Sequence, residues 1–131
     1  MSNKDGVLYL VLKEPWFSMI KSGEKKEEYR EIKEFYANKW IGYYSDYLAK
    51  KLVKCIENNS ELTKFNAKDI EDILHSLPFK TLHFTLGMPK KGSFPERHLV
   101  FKNPKIRIGT GKPEWGAEPG KKYFVITWEK E

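Results

Sequence analysis

Several resources are scarce or missing in this 131-residue sequence, and each shortage closes a route. A lone Cys55 cannot form an internal disulfide, and no second cysteine or nearby histidine stands at metal-ligand spacing, so neither a disulfide framework nor a metal site is read from the residues. The three histidines, His75, His83 and His98, are scattered. No apolar run approaches the roughly 18 residues needed to cross a bilayer, and no signal-peptide pattern follows Met1-Ser2-Asn3-Lys4. Gly109-x-Gly111 is too short for a nucleotide fingerprint and has neither Walker nor Rossmann spacing. The expectation is a chain with no membrane partner and no cofactor in a reducing, cytoplasmic setting.

The length suits one domain over residues 1–131 with a single core. Hydrophobic residues at 40% and aromatics at 15% argue for a folded chain, and 32% charged residues give it a well-solvated surface. The net charge of +6 is segregated: residues 1–79 are neutral, residues 113–131 carry −1, and residues 80–112 carry +7. The excess sits on Lys80, Lys90, Lys91, Arg97, Lys102, Lys105, Arg107 and Lys112. Such a footprint suits a polyanion, because phosphate neutralisation by Lys and Arg drives much of nucleic-acid affinity. Lysine-rich loops that merely aid solubility are the alternative.

Charge, a glycine break and an adjoining aromatic run meet at Gly23-Glu24-Lys25-Lys26-Glu27-Glu28-Tyr29-Arg30. As a strand it would send Lys26, Glu28 and Arg30 to one face and Lys25, Glu27 and Tyr29 to the other. A strand charged on both faces makes sense where one face lines a polar pocket. The same residues are good helix formers, so the pattern alone leaves a solvated helix equally open. Gly-x-Lys-x-x-Glu-x-Arg after an apolar strand and Pro15-Trp16-Phe17-Ser18-Met19-Ile20 resembles the signature of the ASCH family, small domains with a PUA-like β-barrel. The resemblance extends to Gly109-x-Gly111, Trp115-Gly116 and the closing Tyr123-Phe124-Val125-Ile126, and leaves residues from about 40 to 79 without family signal. It implies an α+β fold, a PUA-like mixed β-barrel of about five to six strands with a helical insertion at about 43–77, the motif running from a turn into a strand beside a cleft.

Along the chain, Val7 to Leu12 reads as a buried first strand and Pro15 to Gly23 as a two-turn helix. Trp16 fits best as a core aromatic, with base stacking as its functional alternative. The aromatic-rich stretch 31–44 reads as an irregular, packed connection that leaves Tyr36 or Trp40 exposed, the alternative being a stacking platform for single-stranded nucleic acid. Tyr44 to Glu57 is an amphipathic helix with Tyr44, Tyr47, Leu48, Leu52, Cys55 and Ile56 on one face, and a second helix capped by Asn66 runs toward Pro78. Period-two alternation from Thr81 to Leu86, two strands or one broken strand around Asn103-Pro104, and Lys122 to Trp128 complete the sheet.

The expected function is binding of RNA, a nucleotide or a modified nucleoside in a cleft built on Lys25, Glu28 and Arg30, with Trp16 and Lys112 as further ligand-binding residues. Glu28 would accept from an amine or N–H of a base, and Arg30 would pair with a phosphate or carbonyl. An ion pair between Glu28 and Arg30 that pins the cleft wall is the structural alternative. The resemblance also implies a small hydrolase, an amidohydrolase on a modified cytidine or a ribonuclease, with Lys25 and Glu28 as the catalytic pair. Glu28, however, stands where the amidohydrolase members carry threonine, and the distal glutamate of that template falls on Glu114 or Glu118 by sequence order only. A third possibility is a protein-interaction module using the helical insertion and its aromatics. Nothing in the sequence fixes the oligomeric state.

Overall fold

The first strand, β1, Val7–Leu12, buries Leu8, Leu10 and Leu12 and leaves Tyr9 and Val11 exposed. The apolar run that suggests a fully buried strand is therefore half-buried, because β1 lies at a sheet edge with one face toward solvent. The computed structural model describes residues 6–87 and 97–130. After β1 comes helix α1, Trp16–Ser22, closed by Gly23 at φ 89° with its N–H on the Ile20 carbonyl. That left-handed position suits glycine, which has no Cβ to clash.

Strand β2, Glu28–Glu31, leads into a helical region of four parts: α2 (Glu34–Ala37), a π-turn (Asn38–Gly42), α3 (Asp46–Glu57) and α4 (Lys64–His75). Helical structure thus begins earlier than the expected bound near residue 43, and the stretch expected to be irregular is a short helix. The caps are hydroxyls placed just outside each helix: Ser45 accepts from the Leu48 N–H at 3.2 Å and Thr63 from the Asn66 N–H at 3.1 Å. Thr63, not Asn66, therefore starts α4. On α3 the buried face is Leu48, Ala49, Leu52 and Cys55, while Tyr44 and Tyr47 stay exposed.

Strands β3 (Thr81–Leu86), β4 (His98–Thr110) and β5 (Lys122–Glu129) form an antiparallel meander. The five-stranded mixed sheet has the order β1-β3-β4-β5-β2, with β1 parallel to β3 and β2 antiparallel to β5. The Asn103-Pro104 break is absorbed inside one strand: the β4–β5 register shifts between Lys102 and Lys105, and Asn103 takes φ 50°. Proline, which has no N–H for the ladder, fits in such a bulge. The same meander brings two of the scattered histidines together, with His83 Nε2 3.0 Å from His98 Nδ1.

The core joins the inner face of the sheet (Leu8, Leu82, Phe84, Ile106, Phe124, Ile126) to the helical region. Trp40, expected at the surface, is fully buried, stacked on Tyr36 and edge-on to Phe124. The exposed members of that aromatic run are Phe35, Tyr43 and Tyr44.

A candidate ligand cleft between the sheet edges

Strands β1 and β2 are the two edges of the sheet, and four strand spacings would separate them by about 19 Å if the sheet were flat. Yet Arg30 on β2 donates from Nη2 to the Val11 carbonyl on β1 at 2.7 Å. One arginine side chain can span the edges only because the sheet curls back on itself. The space left between them is the cleft.

Register decides which side chains face it. Glu28 and Arg30 lie opposite Ile126 and Phe124, the inner-face residues of β5, so β2 turns its carboxylate and guanidinium inward. Arg30 spends four of its five N–H groups on the protein: Nε donates to Glu28 Oε2 at 3.0 Å, Nη1 to the Tyr36 hydroxyl at 3.0 Å, and Nη2 to both Glu28 Oε2 at 2.7 Å and Val11. The ion pair that pins the cleft wall is thus formed, and Arg30 clasps β1, β2 and α2 together.

Lys25 reaches the same carboxylate from the other side. Strict alternation along one long strand would put Lys25 and Glu28 on opposite faces, but the strand begins only at Glu28, and residues before it turn Lys25 back. Its Nζ stands 3.4 Å from Glu28 Oε1 and donates to the Trp115 carbonyl at 2.8 Å. It also lies 4.6 Å from the centre of the Tyr29 ring and 5.3 Å from that of Trp16. Burial pushes its pKa below the ordinary lysine value, opposed by the charge and hydrogen bonding of Glu28. At 1% exposure it is a floor beneath the cleft rather than a wall of it.

Two contiguous cavities open onto this floor, sharing Trp16, Glu28, Tyr29 and Glu31. The first, about 400 Å³, is closed by Val11, Lys13, Lys33, Phe35 and Tyr36. The second, about 330 Å³, is closed by Trp115, Gly116, Glu118, Lys121 and Tyr123. Trp16, half-buried, divides them and so belongs to both core and cleft. Of the two distal glutamates, Glu118 reaches the second cavity, and Glu114 is not among the residues lining either.

The loop after β4 is fastened onto the cleft by close contacts. The Tyr29 hydroxyl donates to Glu27 Oε1 at 2.8 Å and accepts from the Lys112 N–H at 3.0 Å. A Cβ at Gly111 would sit 2.6 Å from the Tyr29 ring, and one at Gly116 (φ 101°) would sit 2.9 Å from Trp16, so both glycines serve close packing. Burial raises the Tyr29 pKa to about 12, with the Glu27 hydrogen bond adding to the shift and the Lys112 N–H opposing it.

Of the expected site residues, Lys25, Glu28, Arg30 and Trp16 converge. Lys112 does not line the cavities: its ammonium rests 4.5 Å from the Trp115 ring centre. Sequence reasoning missed Tyr29, Glu31, Trp115 and Lys121 as cleft residues. The basic segment divides too: Lys80, Lys102 and Lys105 are exposed, Arg97 donates to the Leu86 carbonyl, Arg107 pairs with Glu27 at 3.0 Å, and Lys90 and Lys91 lie outside the described residues. A further cavity of about 600 Å³ between α3, α4 and β4, floored by Leu52, Ile70 and Ile106, holds none of the expected residues.

Among the described residues no group of three or more His, Cys, Asp or Glu could hold a metal ion, and no helix is long and apolar enough to cross a membrane. Compared with family models, curated proteins and solved structures, the chain matches none. The functional reading therefore rests on the cleft itself.

Proposed function

We propose that the cleft binds a nucleobase, presented as RNA, a nucleotide or a modified nucleoside, and that the curled sheet is an ASCH-like, PUA-like barrel left open between β1 and β2. The observation that carries this reading is the Glu28 carboxylate, held by Lys25 and Arg30 at the wall shared by two cavities and flanked by Trp16 and Tyr29. A base needs flat apolar faces to stack on and a fixed acceptor for its amine or ring N–H; Trp16 and Tyr29 would supply the first and Glu28 the second. Exposed Lys80, Lys102 and Lys105 would add the salt-sensitive attraction of a polyanion. Arg30, with its fork committed to protein partners, acts here by orienting Glu28 rather than by binding phosphate.

The lowered pKa of Lys25 favours a second reading, a small hydrolase in which Lys25 and Glu28 exchange a proton. The enclosure of Lys25 and its bond to the Trp115 carbonyl weigh against it.

The test is equilibrium binding of short single-stranded RNA, mononucleotides and a panel of native and acylated nucleosides to the wild type and Glu28→Gln at two salt concentrations, each sample assayed for product by mass spectrometry. Binding without product, weakened about tenfold or more by Glu28→Gln, is expected, a loss of at least about 1.4 kcal/mol. Product that disappears with Glu28→Gln would move the assignment to the hydrolase. Absence of binding by every member of the panel would overturn both readings.

A further inference from the structure

The sheet carries a second constellation that the cleft does not use. Tyr9 on β1, His83 on β3 and His98 on β4 share the face of the sheet opposite the buried Leu8, Leu82 and Phe84. Tyr9 pairs directly with His83, their ring centres 5.4 Å apart, and this contact fixes one side of the imidazole. His98 lies diagonally across from His83, opposite Thr85, with the ring centres 5.1 Å apart and the ring planes at 71°. Beside it, Arg97 donates to the Leu86 carbonyl and ties the start of β4 to the end of β3. Both rings are only partly buried, so solvent reaches the pair.

The separation of His83 Nε2 and His98 Nδ1 is 3.0 Å. Two imidazole nitrogens each bound at about 2.05 Å to one ion stand about 2.9 Å apart at an octahedral angle and about 3.3 Å apart at a tetrahedral one. The two strands therefore already hold the donor atoms at chelating distance; the two nitrogens face each other in the hydrogen-bonded pair, and each ring turns by about 35–45° to aim its lone pair at a common ion. In the metal-free pair a single N–H fills the gap and the facing nitrogen accepts it. On chelation that proton moves to the outer nitrogen of the same ring, leaving both inner nitrogens bare and the proton count unchanged.

We propose that His83 and His98 form a binding site for one divalent late transition ion, held through His83 Nε2 and His98 Nδ1 with its remaining positions open to water. Two neutral nitrogens and no carboxylate select borderline ions: Cu²⁺ binds most tightly, Ni²⁺ and Zn²⁺ less so, and Mg²⁺, which demands oxygen ligands, not at all. The open positions distinguish such a site from a closed structural centre, which uses four protein ligands.

The test uses the full chain without a polyhistidine tag, stripped with chelator and dialysed. Calorimetric titration with Ni²⁺, Zn²⁺ and Mg²⁺ is run on the wild type and on His83→Gln, His98→Gln and His75→Gln. The expected result is one Ni²⁺ or Zn²⁺ per chain, no Mg²⁺, and weakening by about tenfold or more in each of the first two variants, with His75→Gln unchanged. In the wild type, the EPR spectrum of bound Cu²⁺ should show superhyperfine splitting from two imidazole nitrogens, a readout independent of any variant. Failure of Cu²⁺, Ni²⁺ and Zn²⁺ to saturate the wild type, or affinity that survives in both His83→Gln and His98→Gln, overturns the proposal.

Discussion

Replacing Arg30 by lysine keeps the charge and removes the fork. An ammonium in place of the guanidinium can still meet Glu28, but one point donor cannot also reach the Tyr36 hydroxyl and the Val11 carbonyl, which Arg30 serves at 3.0 and 2.7 Å. Hydrogen bonds to a charged group are each worth about 1.5–3 kcal/mol, and partial solvent access at the cleft mouth places these two at the lower end. Arg30→Lys should therefore cost about 2–3 kcal/mol. With a urea dependence of about 1–3 kcal/mol per molar for a chain of this size, the midpoint should fall by roughly 0.7–3 M at unchanged slope. Arg30→Met should cost more, about 3–5 kcal/mol, because Glu28 would lose its closest counter-charge in a half-enclosed site. A stability of Arg30→Lys within about 0.5 kcal/mol of the wild type would refute the argument, since the sheet edges would then be held by something other than the guanidinium.

Two further outcomes follow from the cleft. Gly111→Ala should destabilise by about 1–3 kcal/mol in the same urea assay, because the new Cβ meets both the Tyr29 ring and Ala117 inside 3 Å; an unchanged midpoint would mean that the loop yields freely. The dependence of stability on alkaline pH should change sign. Lys25 has a folded pKa below 10.5, so the unfolded chain binds more protons between that lowered value and 10.5, and Lys25 adds stability as pH rises through this window. Tyr29 has a folded pKa raised from 10 to about 12, so its contribution is complete below pH 10 and is lost as pH rises toward 12. Denaturant titrations across this range should show Lys25→Met removing the rise and Tyr29→Phe reducing the fall, the remainder coming from Lys68 and Lys121, whose pKa values Asp72 and Glu31 raise.

What could be seen in the sequence was whatever depends on neighbours a few residues away. The period of α3 and the alternation of β3 are such features: α3 buries Leu48, Leu52 and Cys55 of the face that the pattern marks apolar, and β3 buries Leu82 and Phe84. Lys25, Glu28, Arg30 and Trp16 are near neighbours whose meeting needs only a helix, a turn and a short strand. The partners that complete the site come from far along the chain: the Trp115 carbonyl meets Lys25 and the Lys112 N–H meets the Tyr29 hydroxyl. Nothing local encodes these. Likewise Trp40 looks like any aromatic in a lysine-rich run until α2 and the π-turn carry it onto Phe124. His83 and His98 read as scattered in the sequence because their approach depends on the β3–β4 register, which no composition reveals.

The order β1-β3-β4-β5-β2 also constrains how the chain can assemble in time. Strand β1 has no sheet neighbour until β3 exists, and β2, although it follows closely in the chain, must wait for β5. Only β3, β4 and β5 can pair with sequential neighbours, so the meander has the least loop-closure entropy to overcome and is the natural nucleus. During synthesis the N-terminal strands would leave the ribosome first and dock last. The charged residues of β2 would then have a use unrelated to any ligand: an unpaired strand carrying Glu28, Arg30 and Glu31 resists edge-to-edge aggregation better than an apolar one.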